Sequence, residues 1–507
     1  MNESKQRKLG VVLSYVSIVV NTLIQLLYTP FLIHMLGQSE YGLYSLVSSI
    51  IGYLAVLDLG FGNAIIVYTS KYKAQGKTEE EKKLHGMFFY VFCIIAVICI
   101  ILGLILYFSV DSFFANTMTF EELSKAKIMM LILTFNLAIT FVFNIFNSII
   151  SAYERFAYQK IIALIGTILK PLIMIPLLFM GYRSITMIIV LTVVNIIIVV
   201  SNYLFCKYKL NIHIKYSGFD NVLFKTILGY SIWIFIGTIV DKVNWSVDHF
   251  ILGAVSGTIA VSVYSVASTL NIMFINLSTA ISSVLLPKMS KLVAKNVSTD
   301  ELTDEMIKVG RIQNYVLFLM CSGLILFGKM FINLWVGEGF EDSYWVALLL
   351  IIPVCVPLIQ NLGLSIMQAM NKFKFKSIST VIMAVINVFV SIYLAKKWGA
   401  IGAAIGTCGS LIICNIIVIN IYYYKSLGLD VIRFWKNIFR QIIPFVIPVG
   451  IIILFMHFVS LNGWKGFIVY GCIYTIIYMI VAYYLSMNKY EKDLINRVLI
   501  KLRLKRS

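Results

Sequence analysis

The sequence predicts an all-α polytopic membrane protein of about fourteen transmembrane helices, with two parallel six-helix repeats (lobes) around a central cavity and two further C-terminal helices. Three observations carry this expectation. The 507-residue chain is 60% hydrophobic and only 13% charged, with a mean hydropathy of +0.91, whereas soluble domains are about 45–50% apolar and about 25% charged. It contains fourteen apolar runs of crossing length, and its basic residues sort to one side when those runs alternate across a bilayer. The composition alone excludes a soluble enzyme, a secreted disulfide scaffold and a disordered chain.

A spanning helix needs about 20 largely apolar residues. The runs are 10–34, 41–67, 86–110, 127–150, 159–181, 184–206, 227–252, 256–287, 310–334, 344–370, 376–397, 400–424, 438–459 and 464–486. The first follows Lys5, Arg7 and Lys8, as a signal peptide would. It is too long for an apolar signal core and no alanine precedes Ala55, so it reads as a retained helix. With the N-terminus in the cytoplasm, 33 of the 42 lysines and arginines fall on the cytoplasmic side and seven on the other. Both termini are therefore expected in the cytoplasm. The formal net charge of +19 follows from topology, and nucleic acid is not an expected partner.

Two echoes suggest an internal repeat. Residues 42–51 resemble 262–271, and the same offset brings Ser70-Lys71 onto Ser290-Lys291. Residues 152–156, Ala-Tyr-Glu-Arg-Phe, resemble 369–373, Ala-Met-Asn-Lys-Phe. A six-helix unit used twice gives a first lobe over 1–221, a second over 222–437, and an appendix with a basic cytoplasmic tail over 438–507. Six is even, so both copies enter from the same side, and paired lobes suit alternating access.

Two cations remain inside the membrane, Lys170 in span 5 and Lys242 in span 7. Ionisable groups there face a cavity or a partner. Lys170 lies roughly 15 Å from either end of its span, beyond the reach of a snorkelling stem. Asp58 in span 2 and Asp241 in span 7 sit comparably deep. Polar residues recur at helical spacing: Ser14, Ser17, Asn21, Gln25 and Tyr28 on span 1; Asn136, Thr140, Asn144, Asn147 and Ser151 on span 4; Asp241, Asn244, Trp245 and Asp248 on span 7. Two readings stand for each. The residues line a shared hydrated cavity, or they hydrogen-bond between packed helices, with Asp58–Lys170 or Asp241–Lys242 as internal ion pairs. Gly402 and Gly406 form a close-packing GxxxG. Gly60 and Gly62 mark either a hinge or a packing contact in span 2.

Signals of catalysis and metal binding are missing. The five histidines show no HxxxH spacing and the eight cysteines no CxxC. Residues 323–329 imitate the start of a nucleotide-binding loop, but Met330 stands where Ser or Thr would hold magnesium. No metal site, cofactor or catalytic residue is expected.

The segment Leu57-Asp58-Leu59-Gly60-Phe61-Gly62-Asn63-Ala64, followed by Lys71-Tyr72-Lys73-Ala74, resembles the second-helix signature of the polysaccharide transport (Wzx-like) flippases. Phe31-Leu32 through Gly42-Leu43-Tyr44 and Gly399–Thr407 are similar to the same family, which belongs to the multidrug/oligosaccharidyl-lipid/polysaccharide exporter superfamily. The resemblance spans the whole chain. It implies a non-enzymatic flippase in a bacterial plasma membrane that moves an undecaprenyl-pyrophosphate-linked oligosaccharide outward for surface polysaccharide, O-antigen or capsule synthesis. Polysaccharide polymerase and chain-length machinery would be its partners, besides membrane lipids. On that reading Lys170 and Lys242 contact phosphate, and Asn21, Gln25, Asn136, Asn144 and Asn244 meet sugar hydroxyls. Asp58, Asp241 and Asp248 are candidates to carry a coupling Na+ or H+. Two rivals remain: a cation-coupled drug antiporter of the same superfamily, and a polymerase or ligase using Asp111, Glu121, Glu122, Glu338, Glu341 or Asp342 in its short external loops.

Overall fold

The computed structural model describes residues 3–212, 214, 219–282, 292, 297–370, 372–494 and 496. Every regular element among them is helical. In chain order these are α1 (Glu3–Leu36), α2 (Gln38–Leu54), α3 (Phe61–Ala74), α4 (Thr78–Phe114), α5 (Phe120–Ala152), α6 (Phe156–Phe179), α7 (Ser184–Lys209), α8 (Asn221–Val255) and α9 (Gly257–Ser282). They are followed by α10 (Thr299–Val336), α11 (Glu341–Ile359), α12 (Asn361–Ala369), α13 (Lys374–Leu411), α14 (Ile419–Leu427), α15 (Val431–Ile442), α16 (Val446–Phe458) and α17 (Gly463–Val481).

Twelve helices among the described residues are long and apolar enough to cross a bilayer. One of them, the 54-residue stretch Lys374–Leu427, is two crossings: its backbone leaves helical geometry at Trp398 and Gly399, where Gly399 adopts φ +53°. A side chain would resist that left-handed conformation. Gly402 then lies against the Leu394 carbonyl across the turn, so the close packing expected of it is made within its own hairpin. Helix α8 supplies the remaining crossing, and fourteen spans result. The end of span 8 beyond residue 282, the Ser290-Lys291 echo and the basic tail from residue 497 lie outside the described residues.

Contacts divide the chain into two compact units, Met1–Ser265 with Ser391–Ala403, and Val266–Val390 with Ala404–Ser507. In the first, α5 is the hub, packed on α2, α3, α4 and α7. A capping box starts it: Thr119 accepts from the Glu122 N–H while Glu122 accepts from the Thr119 N–H at 2.8 Å. In the second, α10 is the hub, holding α11, α15 and α17. Spans 13 and 14 complete this unit through an aromatic core in which the Phe445 and Tyr478 rings stack 4.1 Å apart. The second sequence echo falls on two turns between helices, since α5 ends at Ala152 before α6 and α12 ends at Ala369 before α13.

Span 2 is broken. A single tight turn, Ala55–Asp58, ends α2, and Leu59 and Gly60 follow with φ of 53° and 73° before α3 begins. Gly60 adopts this conformation freely, whereas Leu59 stores strain that its surroundings must hold. Gly62 plays the packing part, because a methyl there would sit 3.3 Å from Ser148 Oγ.

Candidate functional site

The functional candidates with described side chains belong to the first unit, and helix rise sets their depths. Measured from the end that carries the Gly37 turn, Asp248 lies about 10 Å in, Lys170 about 14 Å, Gln25 about 16 Å, Lys242 about 20 Å and Asn21 about 22 Å. Asn136 follows at about 24 Å, Asp58 at about 30 Å and Asn144 at about 36 Å. Helices α1 and α6 run side by side in one direction, since Gly10 faces Phe156 and the Phe31 ring lies 5.6 Å from Phe179. That pairing puts Lys170 between the levels of Asn21 and Gln25.

What each candidate touches separates them. Asn21 and Gln25 are exposed, whereas Ser14 and Ser17 of the same stripe donate back to their own helix at Gly10 O and Leu13 O, 2.9 and 2.7 Å away. Lys170 is half-buried, and among the described residues it has neither a carboxylate partner nor a hydrogen-bond acceptor. Pro171 follows it inside α6 and lacks the N–H that would bond the Thr167 carbonyl, so the helix is locally loosened. The Lys242 ammonium lies 3.8 Å from where a methyl would sit on Gly52, beside bare α2 backbone.

Asp58 and Lys170 do not pair. The Asp58 carboxylate accepts from Asn144 Nδ2 at 2.7 Å and faces the N–H groups of Gly60 and Gly62, at the positive end of α3. Asn136 is buried and accepts from Asn195 Nδ2 at 2.6 Å, and the same amide also donates to Thr140 Oγ1 at 2.7 Å. This clasp joins α5 to α7. Asp248 is buried and accepts from the Tyr264 hydroxyl; the neighbouring His249 ring stands edge-on to Tyr264 at 5.3 Å, and its Nδ1 has no partner among the described residues. The side chains of Asp241, Asn244 and Trp245 lie outside the described residues.

A cavity of about 610 Å³ opens at the Gly37 end of this unit, lined by the α1–α2, α4–α5, α6–α7 and α8–α9 turns. Sequence reasoning did not assemble it, because its residues come from four separate turns. Glu40 accepts from the Ser184 N–H at 3.1 Å and from its hydroxyl at 2.6 Å, and lies within 3.4 Å of Arg183 and 3.7 Å of Lys125. Glu122 accepts from Thr258 at 2.8 Å and from Ser39. Three of the carboxylates weighed for a polymerase are thus engaged locally: Glu122 as above, Glu121 with Lys125 at 2.8 Å and Asp111 with Lys127 at 2.5 Å. At the opposite end of the unit, in the α5–α6 turn, Tyr153 donates to Glu81 at 2.7 Å, and burial together with that carboxylate pushes its hydroxyl well above the usual range.

The second unit holds a buried ion pair that sequence reasoning missed. Arg311 on α10 grips Glu491 through Nε at 2.6 Å and Nη2 at 2.9 Å, and both side chains are buried. Tyr315, the Asn488 N–H and the Ser486 carbonyl complete the shell. The two residues are 180 positions apart, and no local pattern links them.

This fold, a bundle of crossing helices with polar side chains carried deep inside, is that of membrane transporters. The chain belongs to the family of polysaccharide biosynthesis proteins, whose family model matches residues 9–293. It is 20% identical over 407 residues to a putative O-antigen transporter of Shigella flexneri, covering 76% of this chain and 90% of that protein. It is also 20% identical over 483 residues to an uncharacterized membrane protein, EpsK, of Bacillus subtilis, covering 92% and 93%. Among solved structures it is similar to the lipid II flippase MurJ in an inward closed conformation, with a TM-score of 0.73 at 18% identity, covering 94% of this chain and 98% of that one. An inward-facing MATE multidrug transporter follows at 0.59 and 16%, covering 81% and 99%.

Proposed function

We propose that the protein is a flippase that carries an undecaprenyl-pyrophosphate-linked oligosaccharide from the inner to the outer leaflet of a bacterial plasma membrane, with both termini in the cytoplasm. A charged pyrophosphate with its sugars cannot cross about 30 Å of hydrocarbon unaided. The observation that carries the reading is Lys170: a cation about 14 Å below the bundle end, without a carboxylate partner among the described residues, level with the exposed amides of Asn21 and Gln25. Lysine binds phosphate as a point charge. Lys242, against bare backbone, is the second phosphate contact, and Asn21 and Gln25 take the sugar hydroxyls. Asn136 and Asn144 hold helices and the Asp58 turn in place. Asp58, Asp241 and Asp248 are the candidates to carry a coupling proton or sodium ion, and the polymerase and chain-length machinery are the proposed recipients of the cargo. The family membership and the Shigella relative's name support the substrate class.

The test is reconstitution into vesicles with a labelled lipid-linked oligosaccharide, scored for leaflet exchange. Lys170→Ala is expected to slow exchange by about 10- to 100-fold, the worth of a hydrogen bond to a charged group, while Lys170→Arg retains part of it. Exchange by Lys170→Ala at the wild-type rate overturns the site. Export of cationic drugs without exchange of the glycolipid overturns the function.

A further inference from the structure

We infer that α15 is a binding surface for anionic phospholipid headgroups, built into the second unit and independent of what the protein carries. Between the spans at 400–424 and 438–459, alternation from a cytoplasmic N-terminus places a cytoplasmic loop. The structure makes 431–442 a helix with three distinct strips. One strip, Val431, Phe434, Ile438 and Gln441, is buried. It is bolted to α10: Gln441 donates to the Arg311 carbonyl at 2.8 Å and accepts from Asn314 at 3.2 Å, and Phe434 fills the space a side chain would need at Gly310. The second strip is apolar and bare, with Ile432 69% and Phe439 62% exposed. The third carries Arg433 and Arg440 beside it, and Lys436 stands between Ile432 and Phe439, all three cations exposed.

An apolar strip of this exposure has no place in water, and its continuation says what covers it. Ile443 and Val446, 67% and 72% exposed, extend the strip one turn onward into the membrane-crossing part of the same segment. Residues 441–458 alone span about 27 Å, close to the about 30 Å of the hydrocarbon layer. The first turns of α15 are therefore left at headgroup depth, with Ile432 and Phe439 among upper acyl chains and the cations among phosphates. Arg433 is shared with Asp304 at 2.6 Å. Lys436 and Arg440 have no carboxylate partner among the described residues, so their charge is open to a lipid phosphate. The occupant is a bilayer surface rather than a protein, because the exposed face that carries Ile432, Lys436 and Phe439 continues through Ile443 and Val446 into a membrane-crossing segment.

The experiment uses the full-length protein in nanodiscs or detergent, titrated with dioleoylphosphatidylglycerol, with dioleoylphosphatidylcholine and inorganic phosphate as separate arms, and bound lipid is counted by native mass spectrometry. The wild type is expected to retain phosphatidylglycerol over phosphatidylcholine, less so as NaCl rises from 0.05 to 0.5 M. Lys436→Gln with Arg440→Gln should weaken phosphatidylglycerol retention about tenfold or more and leave phosphatidylcholine unchanged; Lys436→Arg with Arg440→Lys should restore it. Equal retention by the wild type and the neutral variant overturns the proposal. So does full competition by inorganic phosphate, which would mark a free-anion site. Were the neutral variant to misfold, wild-type retention that is indifferent to salt would overturn it equally.

Discussion

Lys170 in the first unit and Arg311 in the second are both cations drawn into helical protein, and the fold treats them in opposite ways. Arg311 is held by two oxygens of Glu491, by Tyr315 and by the Ser486 carbonyl. Lys170 has no such shell among the described residues, and the helix beside it is loosened by proline. A buried charge gripped by a carboxylate is a bolt; a half-buried charge left open is a place for a ligand. The difference in partners tells them apart. The cost of an open charge persists only where something else repays it.

The largest expected effect breaks the bolt. Arg311→Ala or Glu491→Ala leaves an uncompensated buried charge and should destabilise the protein by about 3–5 kcal/mol, read as lost thermal stability in detergent. The double change Arg311→Met with Glu491→Met removes both charges and should recover most of that loss. Lys170→Ala in the same assay is expected to leave stability unchanged or slightly raised, since it removes a cation that no described residue balances, while leaflet exchange falls. If Lys170→Ala destabilises the protein as Arg311→Ala does, the contrast fails and Lys170 is structural.

A middle-sized effect is expected at Asp58, which belongs to neither class. Its carboxylate is partnered, but by amides rather than by a cation, at a broken helix. Asp58→Ala should cost about 1–2 kcal/mol through the lost cap and the stranded Asn144. Asp58→Asn preserves the cap and should cost only a few tenths. A carboxylate needed for ion coupling loses transport in both variants; one that only shapes the α2–α3 turn loses it in Asp58→Ala alone. Exchange measured beside melting temperature separates the two.

The spans were legible in the sequence because a bilayer imposes a length and a polarity that no local accident imitates. Pairings were not. Asn21 and Asn136 look alike as members of polar stripes, yet one is exposed and the other clasped to Asn195, because a stripe records which face is polar and not what stands opposite. The break at Leu59–Gly60 was half-visible: glycines announced freedom, but a left-handed leucine has no sequence signal. The α15 strips were missed because their residues sit between a charge count and a span boundary, and each description took only part of them.

The smallest expected effect compares two amide clasps between helices, one in each unit. In the first, Asn195 donates to Asn136 and Thr140; in the second, Gln360 donates to Asn420 at 2.6 Å, and Asn420 also accepts from Trp435 at 2.9 Å. Interhelical hydrogen bonds within membranes average only about 0.6 kcal/mol, because the unfolded chain also finds partners there. Asn195→Ala should therefore lower stability by about that amount. Asn420→Ala should cost about twice as much, since it strands both the Gln360 amide and the Trp435 indole N–H. Helix association in a bilayer gains little from apolar burial, so these amides act as register pins more than as sources of stability. Melting curves of the two variants, and of the pair, decide the point: a loss several times larger at Asn195 would mean that its clasp belongs with the Arg311 bolt rather than among the pins.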